Sequence, residues 1–426
     1  MTAAPASAIA IDAATLAAAR ARIRGALVAG VALASTGYIA AVTIGTLIAQ
    51  DLTGNAALAG LPGAAVVLGA AGGSLSLSWL MARSGRRPGL VLGYGLAIAG
   101  SAVATIAVVD RSFALLLIGT ILIGFANSAS QLARYAAADM EPPSRRASAI
   151  GLVVWASTVG AVLGPSIVSP AGAFAMSIGL PELAGPYLVP ILAVGLAAIL
   201  SLLFLRPDPM SLSDHLVTGA HHASAAPLRE VFRRPSVLGA VVALIAGQGT
   251  MVLVMTMTPL HMRQQGHDLT AVGLVLSAHT FGMFALSPIS GRLTLRLGPL
   301  TTIYLGTAVM LVSSVMAAFT PPSSSLLLGV AMFLLGYGWN LGFVAGSTLL
   351  SSSLEIAERT RVQGAADALI WVTAAIASLG SGLVVEYAGY AVLGLLGAAF
   401  VAIATWIVIV RREAIAGSMR SRSAAS

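Results

Sequence analysis

Two neighbouring apolar segments of the chain carry sulfur and imidazole side chains at helical spacing. Met251 and Met255 are four residues apart, and so are His279 and Met283 in the next segment. Residues at this spacing share one face of an α-helix. The uncharged thioether of Met is a soft ligand that suits Cu(I), and imidazole also binds copper. The pattern predicts a path for a transported copper ion, as Cu(I), with no permanently bound cofactor.

The depth of these residues follows from a helical rise of ~1.5 Å per residue. Met255 is then outermost, Met251 and His279 share the midplane, and Met283 is innermost. We predict a stepwise relay between antiparallel neighbouring helices, with Met251 and His279 forming its central site. Packing is the alternative explanation, because Met is also a common filler of apolar cores.

Other histidines lie outside the two pairs. His261 and Met262, with His267 close by, lie near the predicted outer mouth and could form an accessory metal site. His221 and His222 are adjacent in a polar stretch, and adjacent residues do not share a helix face. We interpret these two as part of a solvated linker.

Composition identifies the surroundings of these residues as lipid. Apolar residues make up 58% of the 426 residues and charged residues only 9%, whereas soluble domains average about 25% charged. Mean hydropathy is +0.93. The chain is therefore predicted to be an all-α membrane protein with twelve spans, each long enough to cross about 30 Å of hydrocarbon. They lie at 25–49, 57–81, 90–109, 113–136, 148–169, 185–205, 236–260, 269–290, 300–319, 324–350, 362–386 and 391–410.

The charges give this bundle a direction. All 23 basic residues are Arg, and they cluster mainly in the turns that follow even-numbered spans. By the positive-inside rule, both termini are then expected to be cytoplasmic. The chain lacks a long basic face, which excludes nucleic acid as a partner. The expected partners are the lipid bilayer, copper ions and a copper chaperone, and the protein is expected to be a monomer.

The distribution of polar residues predicts five regions. These are an N-terminal cytoplasmic tail (1–24), a six-helix bundle (25–205), a central cytoplasmic linker (206–235), a second six-helix bundle (236–410) and a C-terminal cytoplasmic tail (411–426). The chain contains no Cys, which excludes disulfides and thiolate metal sites.

The two halves show a weak internal repeat, as many transporters do. Ser78–Arg87 follows the second span and Gly291–Gly298 follows the eighth, and each places Arg-x-Gly in a tight turn. These turns resemble the G-x-x-x-D-R-x-G-R-R signature of the major facilitator superfamily. The first copy keeps Arg83, Gly85, Arg86 and Arg87. Ala82 and Leu295 stand where the signature has Asp, so the acid that helps to latch the inner gate is missing twice.

The resemblance implies two pseudo-symmetric six-helix bundles that give alternating access to a midplane cavity. Within the family, the sequence closely resembles the CcoA-type copper importers, which carry M-x-x-x-M in the seventh span and H-x-x-x-M in the eighth. Met251, Met255, His279 and Met283 match these motifs. The resemblance implies copper import for cytochrome oxidase assembly.

Polar residues inside membrane spans are costly and mark functional candidates. In the fourth span, Asn127, Gln131 and Arg134 lie within two turns. In the eleventh span, Asp367 is the most deeply placed acid and could titrate if transport is coupled to protons. The alternative for Asp367 is an ion pair between the two bundles, for example with Arg134. Together with Arg83, Arg86 and Arg87, these residues are the gating and coupling candidates.

Two other functions remain open. Gly160–Pro165 reads G-A-V-L-G-P and resembles a motif of major facilitator antiporters, which favours a proton-coupled exporter of drugs or other small molecules. A copper sensor or assembly factor would bind the ion without transporting it. The sequence contains no P-loop, nucleophile elbow or zinc-protease motif, so an enzyme is not expected.

Overall fold

A computed structural model describes residues 13–54, 58, 60–214, 226–267, 269–321 and 323–423. These residues form helices and connecting turns, without a β-strand. Eleven of the described helices are long and apolar enough to cross a membrane. This confirms the prediction of an all-α membrane protein.

Spans 1 to 6 form the first half of the chain. Their bounds are Ala13–Thr43 continued by Gly45–Thr53, Leu61–Ser84, Arg86–Val109, Phe113–Asp139, Pro143–Ser166 continued by Val168–Ser177, and Gly185–Phe204. Spans 7 to 10 are Pro235–Gln264, Leu269–Phe284 continued by Ser287–Leu297, Pro299–Phe319, and Ser325–Ser352.

The last long helix, Ile356–Val410, contains two spans. It has 55 residues, which corresponds to about 80 Å and far exceeds the thickness of a bilayer. The backbone leaves the helical region at Gly389, where φ is 84°. This break separates span 11 (356–388) from span 12 (390–410) and agrees with the predicted boundary between 386 and 391. The twelve predicted spans are therefore accounted for.

The spans pack in two similar bundles. Span 1 packs against spans 5 and 6, and span 7 packs correspondingly against the helix that forms spans 11 and 12. Spans 2 and 3 pack on span 4, and spans 8 and 9 pack on span 10. The repeated turns also match, since Gly85 and Gly298 both have positive φ, at 91° and 85°. Glycine is favoured here because other residues are strained at positive φ.

Both tails are partly helical. The first helix already begins at Ala13, inside the stretch predicted as a tail. Near the other terminus, the helix Arg412–Ser423 returns against span 7, where Ile415 is buried beside Gly239. The central linker contains two short helices, Pro209–Asp214 and Leu228–Arg233. His221 and His222 lie outside the described residues.

The two bundles meet close to this linker, at the side that we call the linker end; the opposite side is the far end. Spans 2 and 11 approach closely at Gly364, where an added Cβ would lie 1.8 Å from Ser78 Oγ. Spans 5 and 8 approach at Gly151 and Gly291, whose added Cβ atoms would lie 2.6 Å and 2.8 Å from backbone oxygens. Small residues permit such close contact between membrane helices. The structure is therefore closed at its linker end.

Candidate functional site

One face of span 7 is turned towards span 10. Near the middle of the span, Gln248 accepts a hydrogen bond through Oε1 from Trp339 Nε1, at 2.9 Å. Nearer the far end, the Thr258 hydroxyl lies 3.4 Å from the sulfur of Met332. Trp339 and Met332 both belong to span 10. The two contacts identify the side of span 7 that faces the interior of its bundle.

The predicted Met ligands of span 7 lie on this same face. Met251 follows Gln248 by three residues, and Met255 precedes Thr258 by three, so all four occupy one stripe of the helix. Met251 is only 4% exposed, and Met255 is partly buried. Both methionines pack in the main apolar cluster of the protein.

His279 of span 8 is held by the backbone of span 10. Its Nδ1 lies 2.9 Å from the carbonyl oxygen of Met332. A carbonyl only accepts hydrogen bonds, so Nδ1 carries the proton and Nε2 keeps its lone pair. The residue is 2% exposed, and Nε2 has no hydrogen-bond partner among the described residues. Metal-binding histidines commonly use this arrangement, with one ring nitrogen anchored and the other available.

Met283 lies one turn further along span 8 and is partly buried. Its carbonyl accepts a hydrogen bond from Asn340 Nδ2 of span 10, at 2.6 Å. Gly336 permits the close approach, since an added Cβ there would lie 2.2 Å from the carbonyl oxygen of His279. Span 8 contacts span 7, but it packs far more extensively along span 10.

Span 10 therefore connects the two halves of the predicted site. The sulfur of Met332 contacts the hydroxyl of Thr258, and its carbonyl accepts a hydrogen bond from the imidazole of His279. It is fully buried. Met332 was not singled out from the sequence. Its apolar surroundings resemble those of any core Met, and its spacing within span 10 carries no signal.

An ion pair connects the two bundles close to this region. Arg134 Nη2 lies 2.6 Å from Asp367 Oδ1, and both side chains are at least 97% buried. The hydroxyl of Tyr135 also approaches the same carboxylate oxygen, at 3.4 Å. Gln131 accepts from Arg134 through Oε1, at 3.0 Å. The ion pair that was considered as the alternative for Asp367 is present.

A second set of charges connects the bundles nearer the linker end. Arg86 is fully buried and donates to Asp139, at 2.7 Å, and to Gln363 of span 11, at 2.6 Å. Asp139 also pairs with Arg359 of span 11, at 3.4 Å. Arg86 thus connects the two bundles at the linker end, and its role in gating stays a prediction from the signature turn. Its partners could not be predicted, because they come from distant spans.

The missing signature acid has a substitute from another part of the chain. Asp208, in the linker, accepts hydrogen bonds from the backbone N–H groups of Arg86 and Arg87, at 3.0 Å and 2.8 Å. These groups begin span 3, where the helix dipole favours a negative charge. A carboxylate thus stabilises this turn although Ala82 occupies the signature position. Sequence analysis missed Asp208 because it lies more than 120 residues away from the turn.

We expect Asp208→Ala to lower the stability of the protein by about 1–2 kcal/mol, the usual cost of removing a helix cap. The reason is that two N–H groups of span 3 lose their acceptor. The melting temperature of the purified protein would measure this change. Asp110→Ala is the matched control, because Asp110 is an exposed acid in a turn. An equal melting temperature for the two variants would contradict the capping role.

The remaining candidates lie outside these networks. Arg83 is exposed, and its guanidinium stacks over the ring of Trp79, 3.7 Å from the centroid. It is therefore not part of the inter-bundle contacts described above. Asn127 of span 4 lies close to the Tyr38 hydroxyl of span 1, so it faces a span of its own bundle.

Aromatic rings cluster at the middle of span 10. Trp339 stacks on Phe343 with 4.5 Å between ring centroids, and Phe284 meets Trp339 edge-on at 6.0 Å. The guanidinium of Arg134 lies over the ring of Phe343, at 4.4 Å. These rings connect the ion pair with the Gln248 contact and provide an apolar surface beside polar groups.

Comparison with known proteins places this arrangement in a family. A family model described as Major Facilitator Superfamily matches residues 26–270 and 245–423. The chain is 38% identical over 366 residues to "Uncharacterized MFS-type transporter YdeG" of Bacillus subtilis (strain 168), with 85% of each chain covered. It is 30% identical over 355 residues to "Riboflavin transporter RfnT" of Brucella anthropi, which covers 82% of this chain and 85% of the relative.

Solved structures show the same fold. The transporter FucP, described in the outward conformation, aligns with a TM-score of 0.74 and 16% identity, over 91% of this chain and 98% of FucP. A bacterial homologue of the iron transporter ferroportin, in an outward-facing state, aligns with a TM-score of 0.69 and 16% identity, over 92% and 99%. The chain belongs to the Major Facilitator Superfamily and is a secondary transporter rather than an enzyme.

Proposed function

We propose that this transporter imports copper, as Cu(I), across a bacterial inner membrane by alternating access of its two bundles. The imported copper would supply cytochrome oxidase assembly, as the resemblance to CcoA-type importers implies. The observation that carries the proposal is the state of His279, whose Nδ1 is anchored on a backbone carbonyl while the lone pair of Nε2 has no partner among the described residues.

The proposed ligands share a chemistry that suits transport. Met251, Met255 and Met283 are neutral thioether ligands, and His279 is a neutral imidazole. Soft, neutral ligands bind Cu(I) and add no uncompensated anion to the interior, where charge is expensive. Because they hold the ion less tightly than thiolates do, they also permit its release to the other side.

The closed linker end is the state in which an importer would load its cargo from the far end. The two bundles are joined there by Arg86, Asp139, Arg359, Arg134 and Asp367. In the orientation that the Arg distribution predicts, the far end faces the periplasm. Copper would then enter between the bundles from that side, and release would require the linker-end contacts to separate.

We expect Met251→Leu to reduce copper uptake by about tenfold or more, the scale that metal-site changes usually reach. Leu has a similar volume to Met, so packing is preserved while the sulfur is removed. Uptake of radioactive copper by right-side-out vesicles would measure the effect, with inverted vesicles as a control for direction. Met257→Leu is the matched control, because Met257 lies on the same span but off the ligand face.

His279→Gln should have an effect at least as large. A variant set in which Met251→Leu and His279→Gln both keep normal uptake would refute the ligand assignment. Copper binding to the purified protein without any uptake into vesicles would instead indicate a sensor or assembly factor.

A second candidate function is proton-coupled transport of a small organic molecule. The similarity to a riboflavin transporter favours it, and so do the rings of Trp339 and Phe343, on which a planar molecule could stack. Asp367 Oδ2 has no hydrogen-bond partner among the described residues, so it could accept a proton. Uptake of radioactive riboflavin by the same vesicles distinguishes the candidates, because His279→Gln would leave stacking of an organic molecule intact.

A further inference from the structure

We infer that His261, Met262 and His267 form a second copper site, which captures the ion at the far end before it reaches His279. The inference rests on the proposed function, since it assumes copper as the cargo. It concerns a separate group of residues, at the end of span 7 and in the turn that follows it.

The backbone brings these side chains together. Span 7 ends at Gln264, and Gly266 then adopts a positive φ of 84°. The turn folds back so that the N–H of His267 donates to the carbonyl of Met262, at 3.1 Å. Residues that are five positions apart thus lie beside each other. The turn depends on glycine, since other residues are strained at this φ.

The side chains surround a very small cavity. Its volume is about 10 Å³, and its lining includes His261, Met262, Gln265 and His267. Thr320 and Ser324, from the turn between spans 9 and 10, complete its polar wall. A volume of this size holds about one water molecule or one ion without a hydration shell. An organic molecule such as a flavin could not enter it.

The chemistry of the lining favours a soft cation. It offers two imidazoles and one thioether, and no carboxylate of the described residues lines this cavity. Such ligands suit Cu(I), whereas Mg²⁺ and Ca²⁺ prefer carboxylate and carbonyl oxygens. The ring of His261 is also fixed in orientation, because it stacks on Tyr390 with 4.1 Å between the ring centroids.

The burial of the ligands suits capture followed by transfer. His261 and His267 are half-buried at the far end, whereas Met262 is fully buried beneath them. Met262 follows Met255 by seven residues, which is two turns on the same face of span 7. An ion bound by the two imidazoles could therefore pass to Met262, then to Met255 and Met251, and so towards His279.

The stoichiometry of Cu(I) binding tests this inference on the purified full chain, by competition with a coloured Cu(I) chelator. The chain should carry a non-histidine affinity tag and the changes His215→Ala, His221→Ala and His222→Ala in every sample. We expect about two Cu(I) ions per chain, one at each neutral site. His261→Phe combined with His267→Gln should remove one of them, and Phe preserves the stacked ring on Tyr390.

A second variant controls for the possibility that the double variant fails to fold. Met262→Leu conserves the buried volume and should weaken Cu(I) binding at this site without removing the fold. In vesicles, both variants should raise the copper concentration for half-maximal uptake by about tenfold, with an unchanged maximal rate. His279→Gln should instead lower the maximal rate.

The outcomes separate this inference from the proposed function. Unchanged stoichiometry in both far-end variants, with normal copper uptake, would overturn the capture site alone and leave a water-filled cavity. Loss of one bound Cu(I) in these variants, with no copper uptake by the unchanged protein, would support the site and reject copper import. Absence of any Cu(I) binding would overturn both.

Discussion

Replacing Asp367 with Asn is expected to abolish transport and to lower the stability of the protein by about 3–5 kcal/mol, the usual cost of removing one partner of a buried ion pair. The Arg134 guanidinium would remain in the interior without its counter-charge, 2.6 Å from an uncharged amide in place of the carboxylate. The guanidinium cannot lose its proton there, since its charge is retained at any physiological pH. The contact between spans 4 and 11 would therefore weaken most.

The double variant Arg134→Gln with Asp367→Asn is the informative control. It removes both charges, so no unpaired ion remains, and we expect it to regain most of the lost stability without regaining transport. Melting temperatures of the single and double variants give the coupling energy of the pair. If Asp367→Asn melted and transported like the unchanged protein, the pair would be dispensable for both.

Replacing Gly364 with Ala is expected to open the linker end of the molecule. The new Cβ would lie 1.8 Å from Ser78 Oγ and 2.6 Å from the carbonyl oxygen of Ser74, distances that require spans 2 and 11 to move apart. The backbone oxygen cannot rotate away as a side chain would. The population should shift towards a state in which the bundles separate at this end, because such a state relieves the clash.

Cysteine labelling measures this shift directly, because the chain contains no Cys. Ser353→Cys introduces a single thiol at the buried linker end of span 10, and its rate of reaction with a maleimide reports opening. Gly380→Ala is the matched control, because Gly380 lies in span 11 like Gly364. No atom of the described residues lies within 4 Å of an added Cβ at Gly380. Equal labelling rates in the two variants would show that the contact at Gly364 does not hold the bundles together.

The spans could be predicted because hydropathy is a signal of about twenty consecutive residues. Even the separation of spans 11 and 12 was visible, since Gly389 falls between two apolar runs. The helices at 13–24 and 412–423 were missed because each is short, carries three Arg residues and is partly exposed, so neither hydropathy nor length distinguishes them from a tail. Ile415 in particular is buried against Gly239 of span 7.

The site was less predictable than the spans. Spacing along a helix placed Met251 with Met255 on one face. The cost of a charge inside the membrane suggested an ion pair for Asp367, for example with Arg134. Neither could show that span 8 packs along span 10, because the order of spans in the chain is not their order in space. Asp208 and Met332 were missed for the same reason. Asp208 accepts hydrogen bonds from backbone N–H groups of span 3, and Met332 contacts side chains of spans 7 and 8. A sequence does not reveal which of these groups are close.

The anchoring of His279 on a carbonyl has a consequence for how the protein tolerates mutation. Every amino acid has the same carbonyl, so the acceptor persists whichever side chain occupies position 332. Substitutions at position 332 can remove the sulfur and change the packing, but they keep the carbonyl that orients the ring of His279. A library of variants at position 332 should therefore retain the imidazole geometry more often than a library at Asn340, whose own side chain makes the bonds to span 8.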